Sequence, residues 1–240
     1  LKKRIIKIFK TITVENNLAF IPSWDASTGE SPGFTIVDVS DKSNPQLISN
    51  TILPSENQST HKIIVNNSKL YVASSNGIYV YDISDTVSPS YVSQIGSEYI
   101  SDMYLENNLL YATSWVNGLH VYNISDPSNL ILTNNINEDF TQARRIDIKD
   151  NYINIAFWSG SLARYDKSQN PSNPVLVSSF TSQDENSVYR GIKQYGDFLY
   201  VLNRLNGDAI DKLIAYDLNQ LDDSTGWFKE VGQINNEPVA

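Results

Sequence analysis

Two neighbouring columns of residues carry most of the candidate chemistry. Laid out in five successive units, the chain's first column reads Lys10, His61, Ser101, Arg144 and Arg190, and the second reads Thr11, Lys62, Asp102, Arg145 and Gly191. Six of these ten are basic or His in a chain whose formal charge is −9. A third column, just past the second strand of each unit, reads Trp24, Ser75, Trp115, Trp158 and Arg204, and takes three of the four tryptophans. A guanidinium binds a carboxylate or phosphate through two parallel N–H donors. Indole faces stack on sugars, rings or cations. Together they suit an anionic or glycan-like ligand, and a focused positive potential would select anions. The candidate binding residues are Arg144, Arg145, Arg190, His61, Lys62, Trp24, Trp115, Trp158 and Arg204. The competing reading is structural: the indoles pack under the next unit, and Asp102 neutralises Arg144 or Arg145.

Catalysis finds less support, and no catalytic residue is assigned. His61 and His120 are the only histidines, and they fall at non-equivalent places in their units. Asp102 with His61 is the one plausible acid/base pair. A hydrolase or lyase acting on an anionic sugar would need both to converge in one pocket. Asp184-Glu185, near Arg190, reads as a solvated loop. No nucleophile elbow, phosphate loop or dinucleotide fingerprint is present. The corners Asp38/Ser40/Asp41, Asp82/Ser84/Asp85 and Asn123/Ser125/Asp126 offer oxygens at a spacing that could hold Ca²⁺. The same residue types cap their own backbone amides in tight turns, and that is the reading adopted here. No metal and no cofactor is expected.

Composition narrows the classes further. The chain has 240 residues, 40% of them apolar and 11% aromatic, enough for a core. It has no cysteine, which removes disulfides, thiolate metal sites and cysteine nucleophiles. The acidic balance argues against nucleic acid and against anionic membranes as partners. Apolar runs of four to six residues are too short to span a bilayer. Lys2–Lys10 is basic but no apolar stretch follows it, so it is not a secretory signal. A start at Leu1 implies a processed form, a trimmed chain or a fragment.

The elements that must position these columns follow from a period. The third runs FTIVDVSD, IYVYDISD, LHVYNISD, LARYDKSQ and LIAYDLNQ carry the markers Asp38, Asp82, Asn123, Asp166 and Asp217. Their spacing, in the low forties until the last interval of 51, is that of a four-stranded propeller blade. Each unit reads as inner strand, polar turn, second strand, hairpin, third strand, corner and fourth strand, with no helix. Asn76-Gly77 marks a tight hairpin, because both residues tolerate positive φ. The expected repeats cover roughly 11–60, 61–100, 101–143, 144–190 and 191–240 of a single domain. Asp25–Gly33 and Asn206–Asp211 expand two hairpins, and Leu221–Gly226 lengthens the last corner. The lead-in Leu1–Lys10 fits either a strand of a neighbouring blade or an extension of the first inner strand. Five blades therefore either close directly or form part of a larger ring.

The segments GIYVYDISDTVSP (77–89), GLHVYNISDP (118–127) and GFTIVDVSDKSNP (33–45) resemble the LVIVD repeat of bacterial and archaeal surface-associated β-propellers. Units one to three carry the likeness sharply. Unit four keeps Asp166 and NPSNP (170–174) but loses the Gly and the second Asp, and unit five is degenerate. The resemblance implies an all-β propeller and an extracellular or cell-surface setting, and it implies no defined reaction. The expected function is a non-catalytic binding module facing an anionic small molecule, a glycan, a protein partner or neighbouring domains. The alternatives are the sugar-acting enzyme above and a purely structural repeat.

Overall fold

The computed structural model describes residues 11–23, 32–54, 58–137, 141–184, 186–205 and 211–235. The lead-in through Lys10, Trp24, Glu185 and most of the two expanded hairpins lie outside them. Twenty strands form five four-stranded antiparallel sheets, each running up and down in chain order. The first sheet is β1 (Thr13–Glu15), β2 (Leu18–Ser23), β3 (Gly33–Asp38) and β4 (Gln46–Ile52). The second is β5 (Thr60–Asn66), β6 (Lys69–Ser74), β7 (Gly77–Asp82) and β8 (Ser90–Ile95). The third is β9 (Ile100–Glu106), β10 (Leu109–Ser114), β11 (Gly118–Asn123) and β12 (Ile131–Ile136). The fourth is β13 (Ala143–Lys149), β14 (Tyr152–Phe157), β15 (Ser161–Asp166) and β16 (Val175–Thr181). The fifth is β17 (Ser187–Tyr195), β18 (Phe198–Leu205), β19 (Asp211–Leu221) and β20 (Phe228–Asn235). No helix occurs among the described residues. The all-β fold class and the five four-stranded sheets are those expected.

By compactness the chain divides into two units, Leu1–Met103 with Ile124–Leu130, and Tyr104–Asn123 with Ile131–Ala240. In the first, Phe20, Phe34 and Ile36 pack on Ile63, Val72, Tyr79 and Tyr81, joining the first two sheets face to face. In the second, Tyr111, Leu119 and Val121 pack on Ile146, Ile155 and Tyr165. Ala156 and Leu162 pack on Tyr189, Val201, Tyr216 and Trp227. The middle strands are buried at nearly every position, and mostly apolar, because a sheet covered on both sides has no wet face.

The repeat extends to its irregularities. In all five sheets the third and fourth strands slip by one residue at the same place, leaving Ile48, Val92, Thr133, Val177 or Val231 as the extra residue. Such bulges sharpen twist and bend the outer strand. Turn chemistry is also repeated, with one difference from the sequence reading. The two-residue turns with positive φ at both centres join strands one and two, at Asn16-Asn17 and Asn67-Ser68. At the 74–77 hairpin the central residues are instead Ser75 and Asn76; Ser74 pairs with Gly77, which alone has positive φ (85°). A Cβ on Gly77 would lie 2.3 Å from the Ile95 carbonyl oxygen, so close approach of the backbones demands glycine there too.

The Asp corners are caps, as the sequence implies. Oδ1 of Asp38, Asp82, Asp166 and Asp217 accepts the amide two residues on at 2.7–2.9 Å. A second turn of the same kind follows at Asp41, Asp85, Asp126 and Asn170. Hydrogen bonds from the serine hydroxyl and amide hold Asp38, Asp41, Asp82, Asp126 and Asp222 below the ordinary carboxylate value of 3.8. Asp166 is lowered by the same two bonds, the Ser168 amide first. A carboxyl whose folded pKa lies below its unfolded one stabilises the fold above the unfolded value, and that stability is lost as pH falls through the folded one. The melting temperature is therefore expected to fall progressively once pH drops below about 4, and Asp82→Asn should flatten that slope. A melting temperature independent of pH in this range would show that the caps carry no linked stability.

Candidate functional site

The first basic column coincides with a second bulge. Pairing between the first and second strands passes from Thr60 to Lys62, from Ala143 to Arg145 and from Tyr189 to Gly191. His61, Arg144 and Arg190 are the residues skipped. A bulged residue leaves the alternation of the strand, so it and its neighbour both depart from the usual in-and-out pattern. That is how two adjacent columns can share chemistry.

In the second unit the columns meet. Ala143 pairs with Phe157, so the start of β13 and the end of β14 lie at one end of the fourth sheet. The Arg144 guanidinium carbon stands 4.2 Å from the Trp158 ring centroid, and that of Arg190 stands 5.1 Å from it. Trp115 lies 6.0 Å from Trp158, tilted by 48°. All four side chains are half-buried. The backbone holds the two indoles together through Gln142, a non-glycine residue with φ of 66°. Its N–H donates to the Trp115 carbonyl at 2.6 Å, and its carbonyl accepts from Trp158 N–H at 2.9 Å. Gln142 was not a sequence candidate; nothing in its identity announces a left-handed backbone.

Two cations against one indole are attracted to its π face and repelled by each other. Nε of Arg190 is sealed from solvent and has no hydrogen-bond partner among the described residues. Arg145 stands beside them, its Nη1 donating to the Arg144 carbonyl at 3.1 Å. Arg204, half-buried on β18, pairs in register with Val188, two residues before Arg190. The arrangement can receive an anion at the guanidinium groups and a flat or apolar face at the indoles.

In the first unit the same column is differently used. His61 is 4% exposed. Its Nδ1 meets the Ile100 carbonyl at 2.8 Å, its Nε2 meets Ser59 Oγ at 3.1 Å, and its ring stacks on Tyr99 at 4.3 Å. A carbonyl only accepts, so neutral His61 carries its proton on Nδ1. Lys62 is half-buried beside it, and Asp102 is buried, its Oδ1 accepting the Met103 amide at 2.9 Å. His120 is buried in β11, with Nδ1 2.9 Å from the Tyr122 hydroxyl, as a strand residue would be. Trp24 lies outside the described residues. No cluster of three or more metal-ligating His, Asp or Glu side chains exists among the described residues. No helix there is long and apolar enough to cross a membrane.

Comparison with known proteins adds the family. No curated protein matches the chain. Among solved structures it is similar to a protein from Lactobacillus plantarum, with a TM-score of 0.74 at 14% identity over 94% of this chain and 70% of that one. It is also similar to a candidate 6-phosphogluconolactonase of Bacteroides fragilis (TM-score 0.71, 11% identity, 92% and 69% covered). A third is the periplasmic gluconolactonase of Pseudomonas aeruginosa (0.68, 11%, 91% and 67%). At these identities the likeness is one of fold. The LVIVD repeat profile matches four times, over residues 10–51, 59–95, 99–138 and 141–182, close to the first four units read from the sequence. The chain belongs to the LVIVD repeat family of β-propeller domains.

Proposed function

We infer that this domain is a non-catalytic binding module of an extracellular or cell-surface repeat protein. It presents the Arg144–Trp158–Arg190–Trp115 cluster to an anionic or glycan-like ligand, or to an acidic patch on a protein partner. The observation that carries this reading is the stacking of two guanidinium groups on the Trp158 indole. A cation–π contact orients a guanidinium without neutralising it, so its N–H edges keep their affinity for carboxylate, sulfate or phosphate. Arg145, Arg204, Lys62, His61 and Trp24 extend the set in this proposal. The enzyme alternative gains little: His61 has both ring nitrogens engaged inside the fold. The lactonase names belong to proteins 11% identical to this chain.

The test is a glycan array carrying uronate- and sulfate-bearing oligosaccharides beside neutral ones, followed by titration of the hits. Binding is expected for the anionic members only, weakening as salt rises. The Arg144→Ala/Arg190→Ala variant should lose at least about tenfold in affinity. Equal binding of neutral sugars, or equal affinity in the variant, sinks the proposal, as does the lack of any hit.

A further inference from the structure

We propose that a second site, a crevice between the fourth and fifth sheets built around Arg164, binds a small zwitterion such as an amino acid or dipeptide. Arg164 is the odd member of its column. The residues at the third-strand slip are Ile36, Val80, Val121, Arg164 and Ala215. Their second-strand partners are Phe20, Tyr71, Tyr111, Asn154 and Tyr200. Four units thus pair an aromatic ring with an aliphatic side chain, while the fourth unit pairs Asn154 with Arg164. An apolar pair would fill the space at no electrostatic cost, whereas a buried guanidinium loses much of its hydration.

The guanidinium is held but not satisfied. Arg164 is 5% exposed. Its Nη1 donates to Asn154 Oδ1 at 2.6 Å and to Gln194 Oε1 at 3.0 Å, which uses both hydrogens of that nitrogen. Gln194 is itself fixed, its backbone N–H donating to Asp147 Oδ2 at 2.7 Å and its side-chain amide to the Gly196 carbonyl at 3.2 Å. The guanidinium carbon lies 3.9 Å from the Tyr152 ring centroid and 5.6 Å from that of Phe228. Neither Nε nor Nη2 has a hydrogen-bond partner among the described residues, and neither is sealed in the way that Arg190 Nε is. Those two nitrogens form the side edge of the fork, the edge that takes a carboxylate through two parallel bonds. No carboxylate of the described residues occupies it. Burial pushes the Arg164 pKa down only to about 10, so the group is a cation at neutral pH.

Arg164 lines a cavity of about 490 Å³, within the range of small-molecule sites. The remaining charges on its wall decide the ligand class. Lys149 and Asp150 pair with each other at 3.3 Å. That leaves Asp197, exposed on the wall and with no side-chain partner among the described residues. One buried cation and one exposed carboxylate ask for a ligand with the opposite order of charge: a carboxylate inward at Arg164 and an ammonium outward at Asp197. Apolar wall from Val177, Leu218 and Phe228 accommodates a hydrocarbon side chain between them.

The test titrates the twenty free amino acids and a set of apolar dipeptides into the intact chain, by calorimetry and by shift of the melting temperature. At least one is expected to bind saturably. Its carboxamide and its N-acetyl derivative should each bind at least tenfold more weakly. Arg164→Lys keeps the charge but removes the fork, and should cost at least tenfold. Because that variant could also unsettle the sheet, Val177→Trp serves as the second. Val177 is the bulged residue of β16, 53% exposed, and an indole there narrows the cavity while leaving the hydrogen bonds of Arg164 in place. Arg144→Ala/Arg190→Ala should leave this binding unchanged, which separates the two sites. Absence of binding by every member, full affinity of the carboxamide or N-acetyl form, or full affinity in Val177→Trp each overturns the proposal.

Discussion

Replacing Trp227 by alanine is expected to cost about 3–5 kcal/mol, a loss of roughly 6–20 °C in the melting temperature of the second unit. Trp227 is 1% exposed and is the largest wholly buried side chain among the described residues. Its ring makes edge contacts with Phe228 at 5.0 Å and Tyr216 at 6.3 Å, and a tilted one with Phe180 at 6.4 Å. It therefore joins the corner between β19 and β20 to the outer strand of the preceding sheet. The corner is tied as well, since the Asp222 amide donates to the Trp227 carbonyl at 2.7 Å. Deleting the indole leaves a void that the close-packed rings around it collapse only partly to fill. Trp227→Phe is the informative companion. The Trp227 N–H is buried without a partner among the described residues, so phenylalanine removes that donor along with part of the ring. It should cost well under half of the alanine loss. Calorimetric melting of both variants checks this, and near-equal losses would mean that the indole is held by something other than packing.

Trp227 also shows what the sequence could and could not convey. Three tryptophans share a repeat column and one does not; of the shared ones, Trp115 and Trp158 lie just past strand ends, half-buried, and the solitary Trp227 fills the core. The blade pattern is legible because period-two alternation and the Asp or Asn corners recur at intervals in the low forties, with Gly before the third strand in the first three repeats. The bulges at His61, Arg144 and Arg190 are not, because a skipped pairing is a matter of register between strands and leaves no mark in residue type or spacing. Position 77 looked like a turn centre since Asn-Gly favours positive φ at both places. The chain instead uses the glycine one step later, where the neighbouring backbone at Ile95 leaves no room for a Cβ. Arg164 stands as a charge in an otherwise aliphatic column of the third strands. Only the cross-strand partner, Asn154, shows that both positions depart from their repeat columns in the same sheet. Whether Arg190 meets Trp158 depends on side-chain reach between adjacent sheets, which no spacing along the chain encodes.

Trp158→Ala is the substitution expected to damage ligand binding most, more than the loss of either arginine alone. Both guanidinium groups rest on this one ring, so its removal takes a shared support from two cations at once. Each cation–π contact is worth about 0.5–2 kcal/mol, and the indole also offers its own stacking surface. Affinity for an anionic oligosaccharide should accordingly fall by about tenfold to several hundredfold. The fold should suffer much less than in Trp227→Ala, because Trp158 is half-buried and its backbone bond to Gln142 does not depend on the side chain. Trp158→Phe should recover part of the binding, since a smaller π face still orients the guanidinium groups. A cycle combining Arg190→Ala with Trp158→Ala isolates the contact: if the arginine acts through the ring, the double variant binds no worse than Trp158→Ala. Fully additive losses would mean that the two residues act on the ligand separately. An unchanged affinity in Trp158→Ala would remove the platform from the site altogether, leaving the arginines as scattered surface charge.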